Sequence, residues 1–197
     1  IKIKKKPLLY WSIEKSIKSK SIHKTWVSSD DLKILNYSKK LGAKIIKRPK
    51  SISGDNATSE AAWFHAIQTI TKSDPITLIV GIQPTSPIRD VNDFDEAIKK
   101  FSLKGYDSLF SANNIHDFNT WSINKKLIPN YNYRNRKRRQ DIENLILENG
   151  SFYLFKPQGF IKAKNRLFGK IGYYLLSKEK SFQIDDYIDI KIIECLM

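Results

Sequence analysis

Between Thr77 and Ile98 the chain reads TLIVGIQPTSPIRDVNDFDEAI, in which Leu78, Ile79, Val80 and Ile82 form a short apolar run around Gly81. Gln83-Pro84-Thr85-Ser86-Pro87-Ile88-Arg89 follows without a break. An apolar run this short, bounded by turn residues, reads as a buried strand. From Val91 onward the apolar spacing is helical, and Asp90 is a good first cap. A buried strand passing directly into a helix is half of a βαβ unit, whose parallel strands need cover on both faces. In such sheets ligands sit beyond the carboxyl ends of the strands, so this loop is where a site is expected. Pro84 and Pro87 lower the entropic cost of a fixed loop shape. Gln83 offers an amide at the strand tip, and Arg89 a fork suited to carboxylate or phosphate, unless it pairs with the acidic residues of DVNDFDE.

The same alternation recurs along the chain. Leu8, Leu9, Ile13 and Ile17 keep helical spacing after Pro7, which suits a first-turn position. TWVSS reads as a strand, with Ser29 or Asp30 capping the helix DDLKILNYSKKLG that Gly42 closes. AKIIKRP is a second strand, and Thr58 to Ile70 a helix capped by Thr58 or Ser59. Strands follow at Ile76 to Ile82, DSLFSAN, NGSFYLF and KIGYYLLS, with helices at Val91 to Phe101, PQGFIKAK and DDYIDIKIIECLM, the last capped by Asp186. This pattern predicts an α/β fold with a mainly parallel sheet between two helical layers. The rhythm breaks from Asn113 to Gln140, where TWSINKKLI reads as an excursion strand. With no internal repeat or low-complexity linker, the 197 residues are expected to form one domain.

A net charge of +15 points to anionic partners, whether nucleic acid, membrane surface or phosphorylated small molecules. Much of the excess is lysine scattered along helical segments; only Asn130 to Asp141 concentrates arginine. That stretch fits either capture of small anions or arginine-rich RNA binding. The single cysteine, Cys195, excludes an internal disulfide and a cysteine-rich zinc site, and fits a reducing, cytoplasmic setting. Apolar runs fall far short of a membrane span, and no secretory signal is visible. No serine–histidine–acid or cysteine nucleophile set emerges, and His65 reads as a packed helix histidine.

Taken in order, the segments resemble the cytidylyltransferases that activate sialic and related nonulosonic acids. IQPTSPIRDVNDFDEAI resembles that family's signature, and WVSSDD its strand end. KRPKSISGDNATSEAAW is similar to its Arg-Pro segment, RRQDIENLILENGSFYLF to its Arg-Gln stretch and following strand, and GKIGYYLLSKEKSFQIDDYIDIKIIE to its closing segment. The resemblance implies a Rossmann-like fold of the nucleotide-diphospho-sugar transferase type. It also implies a reaction joining CMP from CTP to the anomeric hydroxyl of an acidic nine-carbon sugar. Arg48, Ala57 and Ser59 would surround the nucleotide; Gln83, Arg139, Gln140, Asn149, Tyr153 and Phe168 would meet the sugar. Asp185 and Arg139 would serve the chemistry. Mg2+ is the implied cofactor, held by Asp185 and, where the family has the first of two aspartates, by Gln183, whose amide oxygen brings no charge. Because Arg139-Gln140 falls inside the resemblance, small-anion capture is preferred to RNA, and neither nucleic acid nor membrane is expected as a partner.

The family's segment corresponding to 113–140 implies a homodimer, with Trp121 and Ile123 as candidate anchors. The family also opens with a strand and a phosphate-wrapping loop that would precede Ile1, so the 197 residues alone are expected to show little transferase activity. The alternatives are a cytidylyltransferase for another acidic sugar such as 3-deoxy-octulosonate, or an inactive homologue that only binds nucleotide or RNA.

Overall fold

The computed structural model describes residues 1–115, 119–124, 126–138, 141 and 145–197. The chain starts with a two-residue ladder, β1 (Lys2–Ile3) with β2 (Lys6–Pro7), and enters α1 (Leu8–Lys18). Then follow β3 (Trp26–Ser29), α2 (Leu32–Lys40), β4 (Lys44–Lys47), α3 (Ser59–Ile70), β5 (Ile79–Ile82) and α4 (Val91–Lys104). After β6 (Ser108–Asn114) come β7 (Trp121–Asn124) and β8 (Lys126–Pro129), then β9 (Ile146–Phe155), α5 (Pro157–Ala163), β10 (Ile171–Leu175) and α6 (Tyr187–Leu196).

The larger sheet has the order β10-β6-β9-β5, and β3 pairs in parallel with β4 beside it. Strands β10 and β6 are parallel, whereas β9 runs against both β6 and β5. Three of the four strands therefore share one direction and β9 alone opposes them, which makes the sheet mixed. Side-chain alternation along β9 sorts the core. Phe152 and Leu154 join Phe94, Ala97, Phe101 and Leu109 on the α4 face. Tyr153 and Phe155 join Ile67 and Phe160 on the face covered by α3 and α5. A third cluster, Ile3 with Ile184 and Ile193, pins β1 against α6.

Several local expectations are refined. Asp31, not Ser29 or Asp30, caps α2 by accepting from the Lys33 amide. The reason is that the Ser29 hydroxyl already accepts from the Asp31 amide. Thr58 caps α3, and Asp186 caps α6 as expected. Strand β5 begins at Ile79, three residues later than the expected start at Ile76. The single excursion strand is a hairpin, with Trp121 opposite Pro129.

Phe152 is fully buried, its ring centroid 5.2 Å from that of Phe94. Phe152→Ala should cost about 3–5 kcal/mol of unfolding free energy in urea titration, since a large side chain is removed from a site walled by sheet and helix.

Candidate active site

At the carboxyl end of β5 the Gln83 amide N–H donates to the Ser151 carbonyl on β9 at 3.1 Å, which fixes the strand tip. The Gln83 side chain then donates from Nε2 to the Ser59 hydroxyl at 3.1 Å. Ser59 is available for this because its neighbour Thr58 takes the capping role. Arg48 leaves the end of β4, where its N–H donates to the Ser29 carbonyl at 2.9 Å. Among the described residues its buried Nε has no partner, nor has the Ser28 hydroxyl. Arg48, Ala57, Ser59 and Gln83, drawn from three segments, line one cavity of about 990 Å³ with Trp63 and Val80. That cavity separates β3 from β5. Lys24, just before β3, is ion-paired with Asp74, in the loop leading to β5, so the two strands start at the same end of the gap and the polar residues gather at their far ends.

On the α3 face, Tyr153 pairs in register with Gly81, two residues from Gln83. Its phenol donates to Glu148 at 2.5 Å and is pushed up to about 12 by burial and by that carboxylate. It therefore stays a hydrogen-bond donor at any working pH. Arg166, in the turn before β10, lies 4.7 Å from the Trp63 ring centroid and 4.6 Å from that of Tyr153. Its Nε donates to Glu60 at 2.6 Å, and that bond holds the Glu60 carboxyl below its usual range. The Phe168 ring packs in the same cluster, so close over Gly159 that a Cβ there would lie 2.0 Å from it. Asn149 is buried, its amide oxygen accepting from the Ser111 hydroxyl at 2.6 Å and the Ser151 N–H at 3.1 Å.

The segment before α6 docks on the same strand ends. Ile184 N–H donates to the Thr85 carbonyl at 2.9 Å, and Gln183 Nε2 donates to the Asn149 carbonyl. Gly150 makes that approach possible, since it has φ +66° and an added Cβ would lie 2.9 Å from the Gln183 amide. Asp185 is exposed. Arg139 and Gln140 lie outside the described residues.

Arg89 takes neither of the roles open to it in the sequence. It is 3% exposed, donating to the Ser151 hydroxyl at 2.7 Å, the Ser12 hydroxyl at 3.1 Å and the Gln83 carbonyl. Asp93 instead pairs with Lys180 at 2.8 Å. Burial pulls the guanidinium down to about 9, against the attraction of Asp93. The turn through Ser86 and Pro87, both buried, folds Arg89 back beneath the strand tip, where it ties α1, β5 and β9 together.

The family model described as cytidylyltransferase matches residues 1–195. The chain belongs to the cytidylyltransferase family. It is 32% identical to N-acylneuraminate cytidylyltransferase A of Danio rerio over 198 residues, 95% of this chain and 44% of that protein. It is 25% identical to the pseudaminic acid cytidylyltransferase of Campylobacter jejuni, over 97% of this chain and 85% of that one. The chain thus spans less than half the length of its vertebrate relatives. In fold it is similar to the solved CMP:2-keto-3-deoxy-manno-octonic acid synthetase complexed with CTP, with a TM-score of 0.71, 11% identity, and coverage of 100% of this chain and 90% of that one.

The family membership makes the donors near α6 worth testing against a metal ion. No cluster of three histidine, cysteine or acidic groups occurs among the described residues. The Gln183 amide nitrogen is committed to Asn149, which leaves its oxygen as a donor, and the exposed Asp185 carboxylate makes no side-chain hydrogen bond among the described residues. One carboxylate and one amide oxygen fit a hard cation that takes its other ligands from water and phosphate. Sequence reasoning missed Glu60, Arg166 and Glu148, because no motif marks them and only the packing of α3 on β9 brings them together.

Proposed function

We propose that the protein transfers CMP from CTP to the anomeric hydroxyl of a sialic acid or related nonulosonic acid. The anomeric oxygen forms a bond to the α-phosphorus, the bond from that phosphorus to the bridging oxygen breaks, pyrophosphate leaves, and the hydroxyl proton passes to water. The observation that carries this reading is the convergence of Arg48, Ala57, Ser59 and Gln83 on one cavity at the strand ends. A small residue at 57 lets a pyrimidine approach the backbone, and Arg48 carries the charge suited to phosphate. Gln83 and Phe168 offer the acidic sugar an amide and an apolar wall, and Tyr153, its proton committed to Glu148, leaves its phenol oxygen as an acceptor, with Asn149 setting the floor behind them. Arg139 and Gln140 belong to this reading on resemblance alone, with Arg139 taking the sugar carboxylate. Magnesium held by Asp185 and Gln183 would neutralise charge building on the phosphate oxygens. Positioning and electrostatics carry such a transfer, so no covalent enzyme intermediate is required. A cytoplasmic setting suits the nucleotide substrate, and no described helix is long and apolar enough to cross a membrane.

The cavity also favours a further extended segment, carrying a phosphate-cradling loop, between β3 and β5. Each strand is paired on one side only among the described residues, and apolar side chains such as Val27, Leu78 and Ile82 line the gap. A strand placed there would hydrogen-bond to both edges. For the hairpin the reading is a second copy of the chain. Ile123 is 87% exposed and Leu127 66%, beside the exposed Trp121 and Ile128, an apolar patch of the kind that marks an interface.

Three measurements test these readings. Pyrophosphate release by the full-length protein should need CTP rather than ATP, GTP or UTP, and a nonulosonic acid rather than 3-deoxy-octulosonate; Asp185→Asn should lower kcat about 100-fold. No release with any nonulosonic acid would defeat the proposal. Amide exchange at Ser28 and at Val80, whose N–H groups face the gap, should be far slower in the full-length protein than in the 197-residue chain; equal rates would remove the extra strand. Sedimentation should give a dimer that Ile123→Asp converts to monomer, and a monomeric wild type would refute the interface.

A further inference from the structure

Glu60 sits in the first turn of α3, next to Ser59, whose hydroxyl faces the cavity and holds Gln83. A carboxylate in a first helical turn suits the helix dipole. It nevertheless follows directly on a residue that lines the proposed pocket for a triphosphate and an acidic sugar, and an uncompensated like charge there opposes binding. Arg166 answers that charge. Its Nε–H donates to Glu60 at 2.6 Å, and its flat face is wedged against Trp63 and Tyr153. The turn carrying it is stiff. Asn165 accepts from the Leu167 N–H at 2.9 Å, and Ser108 Oγ bonds both the N–H and the carbonyl of Phe168. The side chains of Arg166 and Glu60 are 20% and 28% exposed, so water screens this pair less than an ordinary surface pair.

We propose that Arg166 is a specificity-determining positioning residue that acts through Glu60: it cancels and holds aside the one carboxylate next to Ser59, so that the pocket accepts anionic substrates. This rests on the function proposed above. The guanidinium does not touch the reacting atoms. Its effect scales with the charge of the ligand.

The test uses the full-length protein and the variants Arg166→Met, Arg166→Lys, Glu60→Gln and the double variant Arg166→Met/Glu60→Gln. Arg166→Met should raise the KM for CTP and for the acidic sugar about five- to tenfold. The inhibition constant of uncharged cytidine should stay within about twofold. Glu60→Gln should be near-silent, the double variant should return to within about threefold of wild type, and Arg166→Lys should keep most of the affinity because it keeps the charge. A merely structural role would weaken cytidine equally and would leave the double variant no better than the single one; either result overturns the proposal, as does an unchanged KM in Arg166→Met. If Arg166→Met fails to fold, Arg166→Lys and the double variant still decide. If wild type releases no pyrophosphate with any acidic sugar, the proposed function fails. Arg166 is then judged by direct titration of CTP against cytidine, followed by tryptophan fluorescence, with the same expected contrast.

Discussion

Antiparallel pairing of β9 with both β5 and β6 fixes the strand tip at Gln83 and the groups that dock on it. Strand β9 is buried on its two faces from Ser151 to Phe155, and its register places Tyr153 beside Gly81. Its entry at Asn149 and Gly150 receives Gln183, and its Ser151 receives both the Gln83 backbone and Arg89. A shift of one residue would turn Phe152 and Leu154 to the opposite layer and carry Tyr153 away from Trp63. The register is therefore fixed by core packing, and the site inherits its geometry from that packing.

Two arginines show how the fold handles charge around the cavity at the strand ends. Arg89 is buried and hydrogen-bonds no carboxylate among the described residues, Asp93 acting on it only through longer-range attraction, and its cost is offset by two hydroxyls and a carbonyl from three different segments. Arg166 is half-buried, stacked on two rings and tied to Glu60. The first supports the strand tip from below; the second cancels a charge at its side. Neither depends on the large lysine excess, which is scattered over loops, strands and helices along the chain.

Much of the architecture was legible in the sequence. Local signals placed the helices, since capping residues such as Thr58, Asp90 and Asp186 act within four residues of one another. The loop from Gln83 to Arg89 was legible as a strand-tip connection because two prolines and a buried run leave few alternatives. The fate of Arg89 was not legible, because its partners Ser12 and Ser151 lie 77 and 62 residues away. The reversal of β9 was hidden for a similar reason: an apolar strand buried on both faces reads the same in either direction.

By itself the sequence determined the family, the order of strands and helices, and the chemistry available at the strand ends. These rest on short-range terms: side-chain periodicity, caps and turn residues. Only the tertiary structure decided which strand opposes the others, that Arg89 is a buried support, and that Glu60, Arg166, Tyr153 and Glu148 form one chain of contacts. Those outcomes depend on packing and desolvation between segments distant along the chain, where the free energy of each contact is set by neighbours that no local pattern specifies.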